Sequence, residues 1–160
     1  MALTSNQRKA AAAALATAIA IPAEGLRRVA YYDPPGILTA CRGHTGADVK
    51  ANFVYSLAQC DKWMTDDMRK AVDIVDKCQP GLPVPILAAF GDATMNSGPK
   101  IACNRAESTA ARKLDAKDYA GACAQLPRWD KAKILGVKVS LPGLTTRRNN
   151  EMALCLKGIV

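Results

Sequence analysis

The sequence predicts an α+β fold that is mostly helical, with a small β lobe near the N-terminus and a larger helical lobe after it. Three observations carry that reading. Residues 28–43, "RVAYYDPPGILTACRG", place two short strand-like runs around "DPPG", where proline sets φ and glycine permits a positive one. From Ser56 to Cys78, apolar residues recur at helical spacing. Six cysteines, even in number and well separated along 160 residues, suit a single domain held by disulfides.

The elements follow in chain order. Residues from Ala10 to about Ala23 favour a helix, alanine being the best helix former. Pro22 is expected to break or kink it. "RVAYY" and "ILTACRG" form a hairpin. Ser56 with Gln59 three residues on is a capping-box pattern. It opens one long helix whose inward residues are Leu57, Cys60, Met64, Met68, Ala71, Val72 and Val75. A second helix fits "ILAAFGDATMN", stopped by Ser97-Gly98-Pro99. A third starts near Arg105, capped by Asn104 with Glu107 following. "KDYAGACAQL" is a fourth, and "GLTTRRNNEMALCLKG" a fifth with Leu144, Met152 and Cys155 facing inward.

Lys and Arg total 22 against 14 acidic residues, a net charge of +8. That sign favours polyanions such as nucleic acid, acidic lipid or an acidic cell-wall polymer. With two Phe, two Trp and four Tyr, the chain poorly supplies a base-stacking platform, and no nucleic-acid partner is expected. The cysteines are Cys41, Cys60, Cys78, Cys103, Cys123 and Cys155; no C-x-x-C pair exists and His44 is the only histidine. A zinc site is therefore poorly furnished, no metal or cofactor is expected, and disulfides in an oxidising compartment fit better. Composition leaves their pairing open.

The N-terminus points to export. Arg8 and Lys9 precede "AAAALATAIAIPA", the order of a signal sequence. The run is weakly hydrophobic and short for a membrane span, which needs about 20 strongly apolar residues. The competing reading is an ordinary first helix packed on the domain.

Glu24 and Asp33 are the candidate catalytic pair. Glu24 lies at the end of an alanine-rich helix, a setting expected to be apolar enough to keep a carboxyl protonated. Asp33 lies at a polar turn and is expected to stay ionised. One acid and one base kept apart by their environments suit glycoside hydrolysis. Thr39, on the returning strand, is placed to hold a water.

The spacing Glu24-Gly25-Leu26-Arg27, then Asp33, then Thr39, then Gly43-His44-Thr45-Gly46 resembles the phage-type lysozymes, glycoside hydrolase family 24. It looks most similar to endolysins of tailed phages infecting Gram-negative bacteria. The resemblance continues through "STAARKL", "DYAGACAQLPRW" and "LPGLTTRRNNEMALCLKG", from about residue 8 to 158. It implies a lysozyme-like fold with the active-site cleft between the lobes. It also implies a monomer acting on peptidoglycan by cleaving the β-1,4 bond from N-acetylmuramic acid to N-acetylglucosamine. Glu24 matches the general acid, Asp33 the carboxylate that handles the water or the developing charge, and Thr39 the residue that positions the water. Arg147, or Arg148 beside it, matches an arginine near the catalytic Glu, and Asn96 a polar position lining the sugar cleft. Aromatic residues usual in that helix are replaced by Ala93 and Met95. His44 is expected to tie the β lobe to the helices. Among the possible disulfide sets, the resemblance favours 41–60, 78–103 and 123–155. It further implies that residues 1–23 form a signal-arrest-release segment ahead of a catalytic domain at 24–160. Residues 10–23 would tether the enzyme transiently to the inner membrane before it enters the periplasm. The rival readings are a lytic transglycosylase acting on the same bond and a basic, non-enzymatic cell-wall or nucleic-acid-binding module.

Overall fold

The computed structural model describes residues 2–159. The chain runs α1 (Ser5–Ala23), β1 (Arg27–Tyr32), β2 (Leu38–Cys41), β3 (His44–Thr45), α2 (Leu57–Cys78), α3 (Val84–Ser97) and α4 (Lys100–Cys103). It continues through α5 (Thr109–Asp115), α6 (Tyr119–Cys123), a 3-10 turn (Leu126–Trp129), β4 (Lys131–Ile134), β5 (Val137–Ser140) and α7 (Pro142–Leu156). Strands β1, β2 and β3 form an antiparallel sheet in that order, and β4 and β5 a separate hairpin.

Helix α3 is the centre of the helical lobe. Every residue from Ile86 to Thr94 is buried, and α1, α2 and α7 pack around it. The approach of α2 is close enough that a Cβ at Gly91 would come within 2.7 Å of Val72 Cγ2. Helix α1 turns Ala12, Ala13, Ala16 and Ala20 into the same core. Small side chains on that face let the helix axis lie close to its neighbours. At its start, Arg8 reaches Asp76 of α2 at 2.7 Å and the Leu82 carbonyl at 3.1 Å, while Lys9 pairs with Asp73 at 2.9 Å.

Several expected boundaries move. Helix α1 begins at Ser5 rather than near Ala10, because Thr4 and Gln7 make a reciprocal capping box. Pro22 sits inside its last turn instead of ending it. There, Glu24 still donates its N–H to the Ala20 carbonyl at 3.0 Å, closing the helix past the proline. Ser56 caps α2 as expected, accepting from the Gln59 N–H at 3.1 Å, although Leu57 is exposed. Asn104 accepts from the N–H groups of Ala106 and Glu107, but it caps only a turn; Ser108 caps α5. The expected fourth helix is shorter and passes into the 3-10 turn. The β4–β5 hairpin was not anticipated. Its turn puts Leu135 and Gly136 at φ 50° and 82°, and a leucine there carries no turn signal in sequence. On α7 the buried residues are Arg147, Arg148, Glu151 and Cys155, so its inward face is largely charged; Leu144 and Met152 are only partly covered.

Three disulfides tie the elements together: Cys41–Cys60 joins β2 to α2, Cys78–Cys103 joins α2 to α4, and Cys123–Cys155 joins α6 to α7. Replacing both Cys123 and Cys155 by serine is expected to cost about 3 kcal/mol, read as a lower urea midpoint. Peptide mapping of unreduced protein should return the same three links.

Candidate active site

Glu24 sits where α1 gives way to the β lobe, and it lines two adjoining cavities. One, of about 390 Å³, is bordered by Glu24, Gly43, Asp67, Met95 and Asn96 among others. The other, of about 580 Å³, is bordered by Glu24, Asn96, Lys131, Leu144 and Arg147 among others. Glu24 and Asn96 line both; the first cavity lies between the β lobe and helices α2 and α3, and the second between α3, α7 and the β4 strand. Gly43 forms the wall of the first opposite Glu24: with φ +85° it needs a glycine backbone, and a Cβ there would lie 3.7 Å from Glu24 Oε2.

The Glu24 carboxylate is about three-quarters covered and is fixed by Arg147, whose Nη1 donates to Oε1. Its surroundings are therefore an ion pair and an open cleft, not the apolar pocket the sequence suggested. Arg147 is in turn gripped by Asp92, which is wholly buried in the middle of α3. Nε donates to Oδ2 at 3.1 Å and Nη2 to Oδ1 at 2.7 Å. Burial alone would lower the pKa of this guanidinium. The hydrogen bonds and charge of Asp92, and then of Glu24, outweigh that and raise it far above the ordinary arginine value. Arg148 points the other way, donating to Glu151, Asn96, Ser97 and the Trp129 carbonyl. The neighbouring arginines thus divide the work: Arg147 holds Glu24, and Arg148 holds the C-terminal end of α3 and with it Asn96.

Asp33 and Thr39 form a second group on the β lobe. Asp33 Oδ1 accepts from the Ile37 N–H at 2.7 Å, stabilising the "DPPG" turn, and Oδ2 faces the Thr39 hydroxyl at 3.4 Å. Thr39 is buried and donates more closely to the Ile37 carbonyl at 3.0 Å. Neither residue lines the two cavities that meet at Glu24. His44, from β3, lies between Asp67 of α2 at 2.6 Å and Asp48 at 3.2 Å, with its ring stacked on Trp63 at 4.1 Å. It joins the β lobe to α2, as expected. Among the described residues, no group of three or more His, Cys, Asp or Glu side chains is placed to hold a metal ion.

The phage lysozyme family profile matches residues 22–151, the span that contains every one of these groups. The chain belongs to the phage lysozyme family. It is 35% identical over 136 residues to the SAR-endolysin of Enterobacteria phage P21, covering 84% of this chain and 78% of that one. Among solved structures, the active form of P1 phage endolysin Lyz matches with a TM-score of 0.75 at 24% identity, over 91% of this chain and 85% of that chain. A P22 lysozyme mutant matches with a TM-score of 0.70 at 25% identity, over 98% and 99% of the two chains. The fold is thus the lysozyme-like α+β fold, and the protein is an endolysin of lysozyme type.

Within this phage lysozyme, sequence reasoning missed Asp92 and Glu151. Both left a signal. Asp92 is the only charged residue in the otherwise apolar run "ILAAFGDATMN", and Glu151 follows Arg147 and Arg148 at the i+4 and i+3 positions where helical side chains meet. The Arg147 clamp is expected to contribute strongly to the fold, because truncating it leaves the Asp92 charge buried and unpaired. Arg147→Ala should lose about 3–5 kcal/mol of stability in chemical denaturation. Arg147→Lys should recover only part of it, since an ammonium cannot make the two-pronged contact to Asp92.

Proposed function

We propose that this endolysin hydrolyses the β-1,4 bond between N-acetylmuramic acid and N-acetylglucosamine in peptidoglycan, with Glu24 as the general acid. The observation that carries this reading is the position of Glu24: in the lining of the cavity between the lobes, anchored through Oε1 and facing Gly43 with Oε2. A glycan strand lying in the cleft would pass this oxygen. Glu24 would give its proton to the leaving glycosidic oxygen as the C1–O bond breaks. A water would supply the oxygen that bonds to C1, and its proton would pass to Asp33, with Thr39 helping to position the water. That role requires substrate to bring the scissile bond between the Glu24 and Asp33 groups. Lys131 in the lining of the second cavity and the net charge of +8 suit a polymer bearing peptide carboxylates.

Glu24→Gln keeps the shape of the side chain but cannot donate the proton. It is expected to slow clearing of a peptidoglycan suspension by about 10²–10⁴-fold without loss of thermal stability. Near-normal clearing by that folded variant would sink the mechanism. Asp33→Ala should be comparably damaging and Thr39→Ala milder. Digests should end in a hydrated reducing muramic acid; a 1,6-anhydro end would mark a transglycosylase instead.

The same reading extends to export, with residues 1–23 as a segment that first tethers the enzyme to the inner membrane and then joins the domain. No described helix is long and apolar enough to cross a membrane, so an inserted state of this alanine-rich run would be marginal and reversible. Its coupling to activity would be direct. Glu24 is the residue that caps α1; while α1 lay in lipid, Glu24 could not sit on Arg147. A variant that favours insertion and opposes docking separates the two states. Ala16 is fully buried against the core, so Ala16→Leu adds hydrophobicity but overpacks the docked helix, at a cost of about 1–3 kcal/mol. More of this variant should stay in the membrane fraction after depolarisation, with less lysis. Equal release of both proteins would argue that α1 is only the first helix of the fold.

A further inference from the structure

Two arginines and three carboxylates meet at the junction of α1, α3 and α7: Arg147 and Arg148 against Glu24, Asp92 and Glu151. Asp92, Arg148 and Glu151 are wholly buried, and Arg147 is nearly so. The four buried groups balance in charge when all are ionised, and Glu24 adds a further carboxyl at the cleft edge. One buried atom, however, is out of place. Glu151 Oε1 accepts from Arg148 Nη1 and lies 3.7 Å from Arg147 Nε, but Oε2 is buried with no donor in reach. An ionised carboxylate with one dry, unpaired oxygen is costly.

We infer that Glu151 is a positioning residue that keeps a proton on Oε2 in the folded enzyme, and that this proton leaves Arg147 free to hold Glu24. A proton there removes the difficulty: Oε2 becomes a donor, and the neighbouring Asp92 carboxylate favours the protonated form. The surroundings favour the neutral acid. Burial is the largest cause, the hydrogen bond and charge of Asp92 add to it, and the opposing charge of Arg148 does not cancel them, so the carboxyl stays well above the usual glutamate range. The other charged group beside it is Arg147, whose Nε lies 3.7 Å from Oε1 but is already engaged by Asp92. Arg148 also bonds the Trp129 carbonyl of the 3-10 turn, and Asp130 is engaged by Ser140 and Thr145. If the proton were lost, Glu151 would become a third anion beside Arg147 and would compete with Glu24 for it.

The link to activity rests on Glu24 being the acid; the proton itself does not, so the two are tested apart. The chain has only three glutamates, Glu24, Glu107 and Glu151, so protein labelled with carboxyl-¹³C glutamate gives three assignable carboxyl signals. In the wild type, one signal should keep the shift of a protonated acid from about pH 5 to 8, where an ordinary glutamate is ionised. That signal should vanish in Glu151→Gln. If all three signals titrate in the ordinary range, the proposal is overturned, whatever Glu24→Gln does to clearing.

Stability gives a second readout. A raised folded-state pKa contributes stability below the unfolded pKa of about 4.3, and that stability is lost as pH rises toward the folded value. The wild type should therefore weaken across this window relative to Glu151→Gln, whose neutral amide accepts from Arg148 as the protonated acid does. A Glu151→Gln protein less stable at neutral than at acid pH, relative to wild type, would show instead that an ion pair had been lost. For positioning, Glu151→Ala should slow clearing by about tenfold or more, and Glu151→Gln should restore most of it. Equal loss in both variants would overturn the role.

Discussion

The contact on which the rest of the molecule depends is the grip of Asp92 on Arg147. It is made in the centre of the helical lobe, between a carboxylate on α3 and a guanidinium on α7, both closed off from water. An isolated charge there would be prohibitively costly, and two well-oriented hydrogen bonds make the pair tolerable. The third nitrogen of the same guanidinium emerges at the cleft and fixes Glu24. A core ion pair and the cleft carboxylate are therefore parts of one rigid unit. The precision with which Glu24 is held comes from how firmly α3 and α7 are packed.

This arrangement makes the position of Glu24 a measure of whether the whole helical lobe has assembled. Helix α1 delivers it, and α1 is seated by four alanines and by the contacts of Arg8 and Lys9 with α2 and the Leu82 carbonyl. Helix α3 supplies Asp92, and α7 supplies the arginines, its far end pinned by the Cys123–Cys155 link. The β lobe is attached separately, through Cys41–Cys60 and through His44 set against Asp67 and Trp63. Asp33 and Thr39 ride on that lobe. The two halves of the proposed catalytic apparatus thus sit on two bodies that share α2, and the open cleft lies between them.

What the sequence by itself determined was local or combinatorial. The "DPPG" turn, the Ser56 cap, the Gly98 stop after α3 and the helical face from Cys60 to Val75 all follow from backbone and side-chain preferences acting over a few residues. The Glu24, Asp33, Thr39 and Gly43-His44 spacing carried the family resemblance, and the six cysteines pointed to disulfides, for the same reason: they are patterns along the chain. Tertiary structure alone decided which arginine faces Glu24, because Arg147 and Arg148 are chemically identical neighbours and only the crossing of α7 over α3 directs them apart. It also decided that α7 buries charge where the apolar pattern pointed to Leu144 and Met152, and that Leu135 turns a hairpin. Above all it decided the setting of Glu24. The residues beside it in sequence are apolar, but its partner in space is Arg147, at a sequence separation of 123. The electrostatics of a buried group depend on what surrounds it in three dimensions, and nothing in its local sequence carries that information.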